Sequence, residues 1–127
     1  MMTNNPARPL HLRIALVGDF AIGPGKADLL EGIRDTGSIA AAGRRMKMSY
    51  KRAWSLVEAM NVAFREPVVE TERGGSARGG ARLTATGEEV LATYRRMMDK
   101  AGKAAAPEID TLKSMLSPDA ASDANDN

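Results

Sequence analysis

The sequence contains no cysteine, which excludes disulfide staples, thiolate metal sites and cysteine nucleophiles. Aromatic residues make up only 4% of it, so its core must be built from Leu, Ile, Val, Met and Ala. No run approaches the about 18 apolar residues that cross a bilayer. The opening stretch Met1–Pro9 is polar, contains Pro and lacks a signal-peptide apolar segment. Histidine occurs once, as His11. With no Cys and no second His beside it, a surface or interface position is expected for it, not metal ligation. These absences leave a soluble cytoplasmic protein as the expected class, with no membrane partner.

Acid is also missing, but only locally. Between Ser38 and Leu56 stand five basic residues (Arg44, Arg45, Lys47, Lys51, Arg52) and no acid. Three more arginines, Arg73, Arg78 and Arg82, lie in a second acid-free stretch, while Pro107 to Asn127 carries five acids against Lys113. The net charge of +2 hides this division into a cationic middle and an acidic end.

At 127 residues the chain suits one domain with a modest core. His11–Val17 alternates as a short strand does, and the Gly- and Pro-containing stretch Gly18–Gly25 is expected to be a loop. Leu29, Leu30 and Ile33 space a helix over Lys26–Asp35, which Gly37 should end by adopting a positive φ. Ser38 is placed to cap a short helix, Ile39–Met46. Ser49 is placed to cap a third, which runs to about Phe64 with Ala53, Trp54, Val57, Met60 and Phe64 as its apolar stripe.

Pro67 ends that helix. Val68–Glu72 and Ala81–Leu83 flank a Gly-rich tip, the pattern of a β-hairpin. A long helix should start at Thr84 or Thr86. Its stripe of Val90, Leu91, Tyr94, Met97, Met98, Ala101, Ala105, Ile109, Leu112 and Leu116 spans Pro107, where a kink or brief break is expected. The expected organisation is a flexible segment over residues 1–9, a domain over 10–102, a helical extension over 103–116 and a disordered acidic tail over 117–127.

No catalytic set emerges. Gly23-Pro24-Gly25-Lys26 falls short of a phosphate loop, because Phe20 stands where Gly is needed and Ala27 where Ser or Thr is needed. The single histidine lies far from any nucleophile elbow. An enzyme is not expected, and no cofactor site is evident.

What does emerge is a mainly α fold with a small β-hairpin: a winged helix-turn-helix plus a long C-terminal dimerisation helix. In this device the second helix of the pair enters the DNA major groove and its first turn reaches base edges. Ala40, Ala41, Ala42 and Ala53 let the two helices approach. Ser49, Tyr50, Lys51, Arg52 and Ser55 can bond to bases or phosphates, with Ser38, Arg44, Arg45 and Lys47 beside them. Arg73, Ser76, Arg78 and Arg82 would belong to the wing. Trp54 is expected in the core. Tyr50 is expected to contact DNA, with packing on the preceding helix as the competing role.

The runs Thr36-Gly37-Ser38-Ile39-Ala40-Ala41-Ala42-Gly43-Arg44 and Met48-Ser49-Tyr50-Lys51-Arg52-Ala53-Trp54 resemble the N-terminal domain of ModE-type molybdenum-dependent regulators. Glu58-Ala59-Met60-Asn61, Val69-Glu70, the glycine run to Gly80 and Leu83-Thr84 with Gly87 continue the likeness, from about Gly25 to Met98. DNA-binding domains of LysR-type regulators share its beginning.

The resemblance implies a transcriptional regulator dimerised through the first strand and flanking helices. It also places Ser49, Tyr50, Lys51 and Arg52 on the reading helix and Arg78 in the wing. Full-length family members carry a C-terminal molybdate-binding region, which is not expected within these 127 residues. Molybdate is therefore the one ligand the resemblance brings in, without its usual domain. Two other functions compete with a sequence-specific homodimeric regulator of double-stranded DNA. One is a protein-interaction adaptor on the same fold. The other is direct oxyanion sensing by the small domain.

Overall fold

The computed structural model describes residues 10–72 and 80–120. The chain opens with a hairpin, β1 (Ile14–Val17) and β2 (Phe20–Ile22), paired antiparallel from Ile14↔Ile22 to Val17↔Phe20. Gly18, at φ +51°, makes its two-residue turn with Asp19, and the register shifts between Ala15 and Val17 so that Leu16 bulges. β2 lies inside the stretch expected to be a loop. The glycine there serves the turn, and Ala21 and Ile22 just after it are buried, so three residues of strand fit between Gly18 and Gly23.

Helix α1 (Pro24–Thr36) starts two residues before the expected Lys26, because Pro24 takes a first-turn position whose N–H is not needed. It ends as expected: Gly37 adopts φ +73° and donates its N–H to the Ile33 carbonyl at 2.8 Å. Helices α2 (Ile39–Arg45) and α3 (Tyr50–Ala63) follow, each capped by the predicted serine. Ser38 Oγ accepts from the Ala41 N–H and Ser49 Oγ from the Arg52 N–H, both at 3.0 Å.

Strands β3 (Val69–Glu72) and β4 (Gly80–Leu83) pair antiparallel in the register Val69↔Leu83 to Glu72↔Gly80. Asn61 at the end of α3 positions this hairpin. Its Oδ1 accepts from the Val68 and Val69 N–H groups at 2.8 and 3.1 Å, and its Nδ2 donates to the Val69 carbonyl at 3.2 Å. On the other strand the Ala81 N–H reaches the Gly37 carbonyl at 2.9 Å, joining the hairpin to the corner between α1 and α2.

Helix α4 (Ala85–Ser114) is capped by Thr84, whose Oγ1 accepts from the Gly87 N–H at 3.0 Å and donates to the Pro67 carbonyl at 2.6 Å. Gly87 lies so close to the preceding chain that a Cβ there would sit 2.1 Å from the Val68 carbonyl oxygen. The helix runs through Pro107 without the expected break. The ring removes one N–H, but Pro107 is exposed, so the carbonyl left without its partner can turn to water.

The core lies between α1, α3, the second hairpin and the first half of α4, with Leu29, Leu30, Ile33, Val57, Met60 and Val68 fully enclosed. Two polar ties hold α4 to this body. The Tyr94 hydroxyl donates to the Leu12 carbonyl at 2.7 Å, and burial pushes its pKa up. Arg95 bonds Asp28 at 3.1 Å and Glu31 more closely still, all three being mostly shielded from solvent.

Candidate nucleic-acid interface

The pair α2–α3 is held at close range by small residues. A Cβ on Gly43 would lie 3.1 Å from the Ala53 Cβ, and one on Gly32 of α1 would lie 2.9 Å from the Ala42 Cβ. The turn between the helices forces Lys47 to φ +60°, and the Met48 N–H closes it onto the Gly43 carbonyl at 3.0 Å. Such packing spends the inner face of α3 on Ala53, Val57 and Met60, and leaves Ser49, Tyr50, Lys51, Arg52 and Ser55 exposed on its first turns.

Arg44, Arg45 and Lys47 are exposed on the end of α2 and the turn beside them. Ser38 is half-buried and its hydroxyl is engaged as the cap of α2. The linear gap in acids is partly closed in space. Arg45 meets Asp35 of α1 at 3.2 Å, and this hydrogen bond, aided by Arg34, holds the Asp35 carboxyl below its ordinary value of 3.8 against a smaller desolvation effect. Arg82 faces Glu70 across the hairpin at 2.9 Å and reaches Glu72 at 3.8 Å, in solvent. Arg73, Ser76 and Arg78 lie outside the described residues.

Trp54 departs from its expected place. It is 36% exposed and stacks on Tyr50, itself 59% exposed, with ring centroids 6.5 Å apart and planes 14° from parallel. At about 100° per residue Trp54 sits roughly a quarter turn from the line of Ala53, Val57 and Met60. The closely packed corner around Gly43 and Ala53 has no room for an indole.

Lys26 is a cation that belongs near this face and was not expected there. Its ammonium lies 5.0 Å from the Phe20 ring centroid. Its pKa is lowered by partial burial and then by the charges of Arg13 and Arg52. Arg52 on α3 and Arg13, just ahead of the first hairpin, thus both lie near enough to Lys26 on α1 for their charges to act on it. No linear spacing could have shown this, since residues 13, 26 and 52 are well separated along the chain.

Away from the cations, a groove of about 300 Å³ runs between the first hairpin, the end of α3 and α4. It is lined mainly by hydrocarbon, including Ile14, Leu16, Ile22, Phe64, Val90 and Met97. Among the described residues no group of three His, Asp or Glu side chains is placed to hold a metal ion. Among them too, no helix is long and apolar enough to cross a membrane. An oxyanion such as molybdate needs converging N–H or hydroxyl donors. The groove is apolar and offers no such converging set.

A tri-helical body with a helix-turn-helix and a following hairpin defines a winged helix-turn-helix. The fold is that of the LysR-type DNA-binding domain. It matches the crystal structure of the CbnR DNA-binding domain in complex with DNA at a TM-score of 0.55 and 24% identity, over 69% of this chain and 95% of that one.

The chain is also similar in sequence to the N-terminal part of ModE transcriptional regulators. It is 40% identical over 83 residues to transcriptional regulator ModE of Haemophilus influenzae, covering 65% of this chain and 32% of that protein. It is 48% identical over 73 residues to the molybdenum-pterin-binding protein MopB of Rhodobacter capsulatus, covering 58% and 27%. The chain thus spans about a quarter to a third of the length of these relatives. No protein-family model matches it.

Proposed function

We propose that this chain is a sequence-specific DNA-binding domain of a transcriptional regulator, acting as a homodimer on double-stranded DNA in the cytoplasm and carrying out no catalysis. One observation carries this proposal. The first turns of α3 stand free of the core with Ser49, Tyr50, Lys51, Arg52 and Ser55 exposed, ringed by Arg44, Arg45 and Lys47. That is the geometry by which a second helix reads the major groove while flanking cations hold the phosphates. Arg73, Ser76, Arg78 and Arg82 would follow the adjacent backbone from the wing, and Ser38 would sit where α2 meets it. Lys26 and Arg13 extend the cationic rim.

Dimerisation is supported by the far half of α4. Leu112 is 64% exposed and continues the helical stripe of Ala101, Ala105 and Ile109, and Met115 and Leu116, just past the helix end, are 73% and 62% exposed, which gives a second copy an apolar seam to cover. Similarity to the molybdenum-pterin-binding protein MopB supports a role near molybdenum metabolism.

The test combines light scattering with selection of bound sequences from a random duplex library, followed by anisotropy titrations. A dimer should enrich a two-fold related site whose half-site centres lie about 34–36 Å apart, or a multiple of that. Affinity should fall steeply with salt. Absence of DNA binding at low salt would overturn the proposal in favour of a protein-interaction module.

A further inference from the structure

The protein has five aromatic residues, and two of them lie stacked on the exposed side of α3. Tyr50 and Trp54 are four residues apart, so they share one helix face. Their near-parallel rings make a rigid apolar surface next to Lys51 and Ser55. Each ring has few rotatable bonds, so fixing it against a partner costs little entropy. Core packing does not explain them: Tyr50 is 59% exposed and the fully enclosed side chains are aliphatic.

In the major groove the base faces are stacked and inaccessible, and the one apolar group offered on a base edge is the thymine C5-methyl. We propose that Tyr50 and Trp54 form a ledge that recognises thymine methyl groups and so determine part of the sequence specificity. This rests on the DNA-binding function proposed above. Lys51, Arg52 and Ser55 hydrogen-bond to their targets. The ledge instead excludes water from a methyl, and it distinguishes thymine from cytosine and from uracil.

The experiment uses the full chain and the duplex selected as above. Each thymine of that site is replaced in turn by deoxyuridine, which keeps every hydrogen-bonding group and removes only the methyl. The expected result is a loss of about fourfold for each contacted methyl, at one or two positions per half-site. On non-specific duplex the replacement should change nothing. Trp54→Ala should bind the thymine and uracil duplexes equally at those positions while melting like the parent protein, and the more exposed Tyr50→Ala supplies the same comparison should Trp54→Ala not fold.

Because Trp54 is the only tryptophan, its emission should shift to shorter wavelength or quench when the specific duplex is added. Failure to select any sequence overturns the regulator function and the ledge with it. Selection of a site at which uracil is tolerated everywhere overturns the ledge alone, as does a Trp54→Ala protein that retains the full thymine preference.

Discussion

The two halves of α4 have the same apolar spacing and opposite surroundings. From Gly87 to Met98 most of the stripe is covered: Leu91, Tyr94 and Met98 are buried while Met97 stays 36% exposed, Tyr94 reaches back to Leu12, and Arg95 is clamped by Asp28 and Glu31. From Ala101 onward the stripe continues, yet Leu112 is 64% exposed. A helical pattern of hydrophobic residues therefore marks a face that requires a cover, but not which chain supplies it. The near half is covered by its own domain. The far half, in the dimer proposed here, is covered by a second copy.

Substitutions can separate the two halves, and the largest effect is expected at the near end. Gly87→Ala drives a Cβ into the Val68 carbonyl, which backbone movement alone can relieve. It should lower stability by about 3 kcal/mol in thermal or denaturant unfolding. Next is Arg95→Ala, which leaves Asp28 and Glu31 facing each other without their cation. Because these side chains retain 13–22% of their exposure, the loss should be about 1–2 kcal/mol, below that of a fully buried pair.

Leu112→Ala should do the converse. Stability measured at a concentration too low for dimers should change by less than about 0.5 kcal/mol, while the dimer dissociation constant by sedimentation should rise at least about tenfold. Equal effects of Arg95→Ala and Leu112→Ala on the isolated fold would erase the distinction between the halves.

Two smaller effects concern the cationic face. Lys26→Ala should reduce the slope of log affinity against log salt by about 1, equally on specific and random duplexes, if Lys26 meets a phosphate. Asp35→Asn tests the Arg45 pair by pH. The folded carboxyl titrates below its ordinary value of 3.8, so the pair contributes stability above that pH and loses it as pH falls through the folded value. The variant should be less stable than the parent near pH 7 and indistinguishable from it near pH 2. At neutral pH it should bind random DNA more tightly, because Arg45 is released.

Much of this architecture was legible because its signals are local. Gly37 ends α1 through its own φ, and Ser38 and Ser49 cap through an oxygen three residues from its donor. β2 escaped because its glycine and proline neighbours look like loop, and only its pairing with β1 makes it a strand. Trp54 differs from its expected place because its residue type suggests core while its angle, a quarter turn from Ala53, Val57 and Met60, puts it at the exposed edge of α3. Lys26 escaped for a different reason. Its charge matters through Arg13 and Arg52, from which it is separated along the chain.

The sequence alone determined the order of the four helices and the second hairpin, the caps, the helix-turn-helix pattern and the cationic middle, since each depends on residues within a few positions of one another. Tertiary structure decided which hydrophobic residues are covered, which cations are already paired and which face of α3 is free. Those depend on distances between segments far apart in sequence, such as Arg95 to Asp28 or Ala81 to Gly37, and they exist only once the chain has closed on itself.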